Sequence, residues 1–455
     1  MLLIGRVVLL WALVSCAFAV GVAAQENDFD DKFCVAPPHD RPCPTLPYDQ
    51  ADFSSSFEYM VLVKGAQDPF DVFAWQAFVA LNWPSDNDGQ ALEHAIGSAP
   101  QAPRVWESYL KRGEVIGADA AAAACASGAK ADTLLIGELE QADQTVLIDQ
   151  GLNFVVYDTR LNGVAADYIM RNGLRTIAGQ AAFDSNGSVS FPMGRLPDSE
   201  NGAAGVEPSV LLKTAWRVLP DGPEESRLFA QDAVIHVPAD RSTTGQELCI
   251  PLRLGLVGMH IVMRTESGNG NEWIWATFEH VDNVPVAGNA RDVNSIYADT
   301  LFPGGCQAPQ NATARPYSFF DPGCEGCLTN AALDGPWSWA PTPPYAHISG
   351  EPVARGTQVV RCWDIFESTA DLNRRWQEKL AGTIWANYML ISTQWRGANK
   401  SPLFEHGEVP RYLVNVTMET FIQDDLKGTC LGCHAEATTK TGRHSDFTFL
   451  LRHAQ

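Results

Sequence analysis

Near its C-terminus the chain reads Cys430-Leu431-Gly432-Cys433-His434, a spacing of two thiols and an imidazole that can do chemistry. On one short helical turn, each cysteine can form a thioether with a haem vinyl group, and the adjacent histidine then faces the iron. The alternative is a zinc site or a disulfide, but no second Cys or His pair lies nearby to complete tetrahedral ligation. The motif therefore predicts one covalent haem c on Cys430 and Cys433, with His434 as the proximal iron ligand.

The sixth iron position decides whether such a haem carries electrons or acts on a substrate, and the sequence leaves it open. No methionine follows His434, which separates this chain from small cytochromes c in which a downstream methionine closes the iron. A sixth ligand would come from the tail, at His444 or His453, or from the upstream body. The upstream candidates are two histidines and two methionines: His260, His280, Met389 and Met418.

His260 and His280 are the two sixth-ligand candidates that we keep. Both lie on a predicted hairpin beside Trp273, Trp275 and Phe278, whose rings are suited to packing against a porphyrin face. Each histidine also fits an ordinary place in a protein core, and the sequence does not choose between the two interpretations.

The first residues predict export. A short positive start from Met1 to Arg6 is followed by an apolar run from Val7 to Val20 and by small residues before Gln25. We interpret residues 1–24 as a signal peptide, which places the mature protein in the periplasm or outside the cell. A lipoprotein acylated at Cys16 is the alternative. No stretch approaches the roughly 20 apolar residues that a membrane span needs, so no transmembrane span is predicted.

Composition narrows the range of partners. The 455 residues contain 54 acidic and 32 basic side chains, a formal net charge of −22, while 45% of residues are hydrophobic. Such a chain can bury a core, repels nucleic acid and favours a basic redox partner protein. A small-molecule substrate stays open, but the chain has no Gly-x-Ser-x-Gly elbow, phosphate loop or dinucleotide fingerprint, which argues against hydrolases and nucleotide-dependent enzymes.

The remaining cysteines predict disulfides in an oxidising compartment, with buried free thiols as the alternative. Cys34 and Cys43 bracket a proline-rich loop and are the one pair that the sequence assigns. Cys324 and Cys327 repeat the two-residue spacing, but Leu328 stands where a haem histidine would have to be. Since the surrounding segment is loop sequence without a preceding strand or following helix, we predict structural disulfides there and no thioredoxin-like pair.

Periodicity predicts two helices with identifiable starts. The segment "DPFDVFAWQAFVAL" places apolar residues on one helical face, with Asp68 as the cap and Pro69 in the first turn. The segment "STADLNRRWQEKLAG" predicts a second helix, capped by Ser368. Strand patterns fill much of the rest, and the clearest is a hairpin of Leu252 to Thr265 with Glu272 to Val281.

These elements predict an α+β, β-rich fold class, with an antiparallel sandwich or barrel-like core, peripheral helices and a C-terminal haem-binding segment. Gly, Pro and Cys are frequent in residues 286–350, which we interpret as long loops over the β core, stapled by disulfides. The predicted organisation is a signal peptide at 1–24, a β-rich body of one or more domains at 25–410, and a haem-binding segment at 411–455.

Several segments together carry a resemblance: "LGLVGMHIVMRT", "WIWATFEHVDN", "MLISTQW", "NVTMETF", "CLGCHA" and "DFTFLL". They are similar to a group of secreted bacterial cytochrome c family proteins with a single C-terminal haem motif and a large, functionally uncharacterised body. The resemblance runs from near residue 250 to the end, about half the chain. It implies covalent haem at Cys430 and Cys433 and iron ligation by His434, and it implies no particular substrate.

Three functions fit these observations. The first is single-electron transfer through one covalent haem, which we take as the prediction. The alternative is a haem enzyme, a peroxide- or oxygen-dependent oxidoreductase with an open sixth position and a substrate site in the β-rich body. A third is a binding or scaffold protein with a structural or sensory haem.

In each case we predict that the motif holds the haem and that the body supplies the wall of the haem pocket. Four apolar residues of the tail are predicted to pack against the body: Phe447, Phe449, Leu450 and Leu451.

Overall fold

The fold is taken from a computed structural model. It describes residues 42–49, 67–117, 120–126, 133–184, 187–197, 202–220, 227–266, 273–292, 302, 305–312, 316–396, 408–424 and 428–455. The predicted signal peptide, Cys16 and Cys34 lie outside the described residues. Within them the chain is α+β and strand-rich, with a curled, mainly antiparallel sheet and a few helices, so the predicted fold class is confirmed.

The helices of the described residues are α1 Asp68–Leu81, α2 Arg112–Val115, α3 Ala120–Cys125, α4 Gly163–Arg171, α5 Ile177–Asp184, α6 Glu367–Lys379 and α7 Cys430–His434. Short 3₁₀ helices cover Val105–Ser108, Ala239–Arg241, Ile384–Asn387, Thr420–Ile422 and Phe449–His453. The strands are β1 Leu110–Lys111, β2 Leu134–Ile136, β3 Val156–Leu161, β4 Val210–Val218, β5 Ala230–Val237, β6 Leu248–Arg264, β7 Trp273–His280, β8 Val286–Asp292, β9 Trp337–Trp339, β10 Ala346–Ile348, β11 Glu351–Pro352, β12 Arg361–Asp364, β13 Tyr388–Arg396 and β14 Glu408–Val409.

The main sheet runs β1-β3-β4-β6-β7-β13-β14 and is organised around the long strand β6. The first half of β6 pairs with β5, its second half pairs with β7, and β4 lies along its other edge. β2 adds to β5 in parallel, whereas the other pairs are antiparallel. The β6–β7 hairpin predicted from the sequence is confirmed, in a register that sets Val262 opposite Trp275.

One face of the main sheet, here called the core face, carries the largest apolar cluster. Met259 and Ile261 of β6 and Phe278 of β7 are fully or almost fully buried there. Helices α1 and α6 cover this face: Trp75 of α1 stacks on Trp376 of α6 at 5.7 Å between ring centroids and meets Phe278 edge-on at 5.1 Å. Burial of large aromatic surfaces is the main force that holds the helices on the sheet.

Both predicted helix caps are wrong, although both helices exist. α1 begins one residue after Gln67, whose amide is drawn instead to Asp71 Oδ1 and to the carbonyl of Thr393 on β13. α6 begins after Phe366, whose carbonyl accepts the first helical hydrogen bond, so Ser368 lies inside the first turn. In both cases a residue type that often caps helices lies near the start, but the packing of the helix on the sheet determines where the helix begins.

The opposite face, here called the tail face, carries Val262, Trp273 and Trp275 and is covered by the C-terminal residues 408–424 and 428–455. Leu450 and Leu451 are buried against these side chains and the half-buried Phe447 packs there too, as predicted, whereas Phe449 lies against the His434 ring. Gly258 of β6 allows a close approach, because a Cβ there would lie 2.3 Å from Thr417 Oγ1.

Disulfides join Cys125 to Cys249, Cys306 to Cys362 and Cys324 to Cys327. Cys43 is also disulfide-bonded, whereas its predicted partner Cys34 lies outside the described residues. The prediction that a disulfide staples the loops after residue 286 is confirmed by Cys306–Cys362, although β8 to β11 add short strands to that region. Among the described residues no helix is long and apolar enough to cross a membrane.

Candidate functional site

The Cys-x-x-Cys-His motif forms α7, a helix of five residues. Thr429 precedes it in an extended conformation and acts as its N-cap, with its side-chain oxygen accepting a hydrogen bond from the Gly432 N–H at 3.5 Å. Cys430 and Cys433 therefore lie one helical turn apart, are half-buried and carry reduced sulfurs. This is the local arrangement that attachment of a haem through two thioethers requires.

Gln394 of β13 fixes the start of the motif helix. Its Oε1 accepts the Leu431 N–H at 2.7 Å, while its Nε2 donates to the Pro410 carbonyl at 2.6 Å and to Thr429 Oγ1 at 2.9 Å. All of these groups are buried, so each hydrogen bond satisfies a polar group that water does not reach. The amide side chain of Gln394 thus links the motif helix to the central sheet, and no sequence motif marks this residue.

His434 is held in a defined tautomer. Its Nδ1 lies 2.8 Å from the carbonyl oxygen of Phe447, and because a carbonyl only accepts, Nδ1 carries the proton and Nε2 keeps its lone pair. The ring packs against Trp275 at 4.2 Å and Phe449 at 4.9 Å between centroids. Burial lowers the pKa of His434 to about 4, so the ring is neutral at physiological pH.

The carbonyl that orients His434 belongs to a turn with two consecutive left-handed residues, Asp446 at φ 54° and Phe447 at φ 61°. Non-glycine residues adopt this conformation at a cost, so the turn needs support from its surroundings. The Asp446 carboxylate lies 3.0 Å from Arg264 Nη1 and accepts the Phe191 N–H at 2.8 Å, while Trp273 Nε1 donates to the Asp446 carbonyl at 2.9 Å. Side chains from the tail face therefore hold the turn in place.

A second polar group lies on the tail face beside the motif. His260 Nε2 is 3.0 Å from Glu419 Oε1, and Glu419 Oε2 accepts the Asn415 N–H at 2.9 Å. Burial acts to raise the pKa of Glu419, but His260, Lys213 and the Asn415 N–H together outweigh it, and the pKa is lowered. Lys213 pairs with His260 across β4 and β6. Glu419 acts to raise the pKa of His434, whereas His260 and Lys213 act to lower it.

The two sixth-ligand candidates, His260 and His280, lie on opposite faces of the main sheet. His260 and Trp275 share the tail face, so His260 lies on the same side of the sheet as the motif. His280 lies on the core face, where its Nε2 donates to the Arg227 carbonyl at 2.9 Å and its Nδ1 accepts from the Asp282 N–H at 3.2 Å. Burial lowers the pKa of His280 to about 4. The structure therefore does not bring His280 to the motif, because strand alternation directs it away.

The other candidates occupy ordinary positions. Met418 is fully buried in a cluster with Tyr157 and Val416, and Met389 is half-buried on β13. In the tail, His444 is exposed and edge-on to Phe447, while His453 is exposed and 2.9 Å from Arg112 Nη1. None of these contacts involves the motif.

The residues present fit a haem c. Attachment requires two thiols on one helical turn, which Cys430 and Cys433 provide. Proximal ligation requires a neutral imidazole with an available Nε2, which His434 provides beside flanking aromatic rings. Sequence reasoning found Cys430, Cys433 and His434 from their spacing. It missed Gln394 and Glu419, because their partners lie 37 and 159 positions away along the chain.

Comparisons with known proteins give no further guidance: no protein-family model, curated protein or solved structure matches the chain.

Proposed function

We propose that this protein is an exported c-type haem protein with a redox function, which transfers single electrons through one haem attached to Cys430 and Cys433. The observation that carries the proposal is the hydrogen bond from His434 Nδ1 to the Phe447 carbonyl, since it leaves Nε2 as an iron ligand of fixed orientation. When bound, the haem supplies an iron that cycles between two oxidation states.

The chain's own residues provide attachment, orientation and exclusion of water. The thiols of Cys430 and Cys433 fix the cofactor covalently, and the hydrogen bond on Nδ1 keeps the His434 ring from rotating. Trp275 and Phe449 pack against that ring and lower the local polarity. Low polarity around a fixed ligand reduces the reorganisation that accompanies each electron transfer and tunes the redox potential.

Surface charge and disulfides support an exported protein with a basic partner. A net charge of −22 attracts a basic redox protein at a rate that falls with ionic strength. The disulfides at Cys125–Cys249 and Cys306–Cys362 suit an oxidising compartment. Anchoring through an acylated Cys16 is the alternative form of export, and Cys16 lies outside the described residues.

Double substitution of Cys430→Ala and Cys433→Ala tests the attachment. We expect the wild type, produced with a haem-attachment system, to keep haem through denaturing electrophoresis and the double variant to lose it. The matched control is Cys324→Ala with Cys327→Ala, which removes the same residue types at the same spacing and should leave covalent haem unchanged. Covalent haem in the Cys430 and Cys433 double variant would contradict the proposal.

A haem enzyme that acts on peroxide or oxygen is the second candidate, and the His260–Glu419 pair favours it. A hydrogen-bonded imidazole and carboxylate can hold and transfer a proton, which single-electron transfer does not require. Carbon monoxide added to the reduced, haem-loaded protein separates the two functions. Low-spin bands that do not respond support electron transfer with two axial ligands, whereas a high-spin spectrum that shifts supports the enzyme.

His260 is the sixth-ligand candidate that lies on the motif's side of the sheet. If it completes the iron coordination, His260→Ala converts a low-spin spectrum into a high-spin one that binds carbon monoxide. His280→Ala is the matched control and should leave the spectrum unchanged, because His280 lies on the core face. An unchanged spectrum in His260→Ala would assign the sixth position to another group.

A further inference from the structure

The disulfide between Cys324 and Cys327 differs from the other two in the stability it can give. Its partners are three positions apart in the chain, whereas those of Cys125–Cys249 and Cys306–Cys362 are 124 and 56 apart. A disulfide stabilises a fold mainly by restricting the unfolded chain, and a small ring restricts it least. The Cys324–Cys327 bond is therefore the least useful of the three as a staple.

The loop that carries this disulfide is held in place without it. Gln358 binds both ends of the loop: its Oε1 accepts the Asp321 N–H at 2.9 Å, and its backbone carbonyl accepts the Asn330 N–H at 2.7 Å. At the entry to the loop, Phe319 is fully buried and its carbonyl accepts the Val359 N–H at 2.8 Å. Opening the disulfide would thus leave the ends of the loop fixed.

A cation lies against one of the two sulfurs. Arg355 Nη1 is 3.3 Å from Cys327 Sγ, close enough to donate a hydrogen bond to a thiolate at that position. A neighbouring cation and the Cys-x-x-Cys spacing both stabilise a thiolate relative to a thiol. Arg355 therefore favours the reduced form of the pair and makes Cys327 the better leaving group in exchange.

Reagents can reach the pair. Both cysteines are half-exposed, and they line a cleft of about 140 Å³ together with polar groups that include Gln310 and Thr329. Leu328, directly after Cys327, is 79% exposed, so a protein dithiol that approaches Cys327 would meet its side chain. Exposure of the sulfurs is a condition for thiol–disulfide exchange that a buried structural disulfide does not meet.

We propose that Cys324 and Cys327 form a redox-active disulfide that exchanges with the thiols of a reductant, independently of the haem function proposed above. A thiolate of the reductant attacks Cys324 Sγ, the bond between the two sulfurs breaks, and Cys327 leaves as a thiolate beside Arg355. A second thiol of the reductant, after losing its proton, attacks the mixed disulfide and releases Cys324. The pair gains two electrons, and the reductant is oxidised to its own disulfide.

Equilibration of the whole protein in glutathione buffers of graded ratio, followed by alkylation and peptide mass spectrometry, tests the proposal. We expect Cys324–Cys327 to be reduced at a reduced-to-oxidised ratio at least about tenfold lower than the other two disulfides need. Cys430 and Cys433 lie on a separate peptide and are counted apart, so the result does not depend on haem attachment. Reduction of all three disulfides together would overturn the proposal.

Arg355→Gln tests the role of the cation. Loss of the guanidinium should make the disulfide harder to reduce, so that about twofold more reduced glutathione is required at a fixed concentration of oxidised glutathione, because the leaving thiolate is no longer stabilised. Arg171→Gln, which removes an exposed arginine paired with Asp167, is the matched control and should change nothing. An equilibrium unaffected by Arg355→Gln would refute the assigned role.

A reduced thioredoxin and glutathione, used in parallel, distinguish the two sources of thiol. Leu328→Ser should slow reduction by thioredoxin and leave reduction by glutathione unchanged if a protein dithiol is the reductant. If Leu328→Ser leaves both rates unchanged, the exchange site stands and a small thiol is its reductant. If neither reagent opens Cys324–Cys327 before the other disulfides, the proposal fails.

Discussion

Replacement of Asp446 by asparagine should loosen the hydrogen bond between the His434 ring and the Phe447 carbonyl. Asparagine adopts left-handed backbone conformations as readily as aspartate, so the turn at φ 54° is not itself disfavoured. What changes is the charge: Arg264, with a side chain only 7% exposed, loses the carboxylate 3.0 Å from its guanidinium. The substitution therefore isolates the ion pair from the conformational preference of the turn.

Removal of one partner from a buried ion pair costs roughly 3 to 5 kcal/mol, because the remaining charge stays buried. The lower end applies here for two reasons. Burial raises the pKa of Asp446 against the influence of Arg264, so the carboxylate is itself disfavoured, and an amide oxygen can still accept the Phe191 N–H. We expect the free energy of unfolding to fall by about 3 kcal/mol.

Two measurements check this prediction. Denaturant unfolding followed by tryptophan fluorescence gives the loss of stability, and the haem reduction potential gives the effect on His434. A weaker hydrogen bond on Nδ1 makes the imidazole a poorer electron donor, so we expect the potential to rise. Glu266→Gln is the matched control, since it breaks an arginine pair that is half-exposed and should cost less than about 1 kcal/mol. Equal stability losses in the two variants would refute the reasoning.

Two further substitutions address the motif helix and the core face. Gln394→Leu should destabilise the protein by about 3 kcal/mol and lower the yield of covalent haem, because the buried Leu431 N–H and Pro410 carbonyl lose their partner. Denaturant unfolding measures the first effect, and the haem content per protein measures the second. Unchanged values would exclude the role assigned to Gln394. Asp71, between α1 and α6, has its pKa raised by burial from 3.8 to about 6, so its contribution to stability is full below pH 3.8 and is lost as the pH rises through 6. The advantage of Asp71→Asn over the wild type should therefore grow by about 2 kcal/mol between pH 4 and pH 7, and an advantage independent of pH would contradict the raised pKa.

The sequence by itself determined the elements whose signals are local. Cys430, Cys433 and His434 share one helical turn, so their spacing alone defines the attachment chemistry. Alternation over the β6–β7 hairpin and the 3.6-residue period of α1 likewise lie within a few residues of chain. The hairpin and the helix were predicted correctly because neighbouring residues contribute most of the physical information, whereas the haem attachment stays a prediction.

The start of helix α1 and the surroundings of the His260 and His280 rings depend on residues far away in the chain. The start of α1 was predicted at a cap on Asp68, but Gln67 precedes the helix and also donates to the Thr393 carbonyl of β13, 326 positions away. His260 and His280 are equivalent by sequence, yet strand alternation directs one to the tail face and the other to the core face. The sequence could place both on a hairpin but could not say which face the tail would cover.

The environment of the candidate site belongs to the tertiary structure alone. The hydrogen bonds of Gln394 to the motif helix, of Trp273 to the Asp446 carbonyl and of His260 to Glu419 join residues 37, 173 and 159 positions apart. Polar side chains acquire such partners only when the tail packs on the sheet, and burial then fixes their geometry because an unpaired polar group away from water is costly. The motif sets two thiols and an imidazole on one helical turn, and the packed sheet determines how the imidazole is oriented.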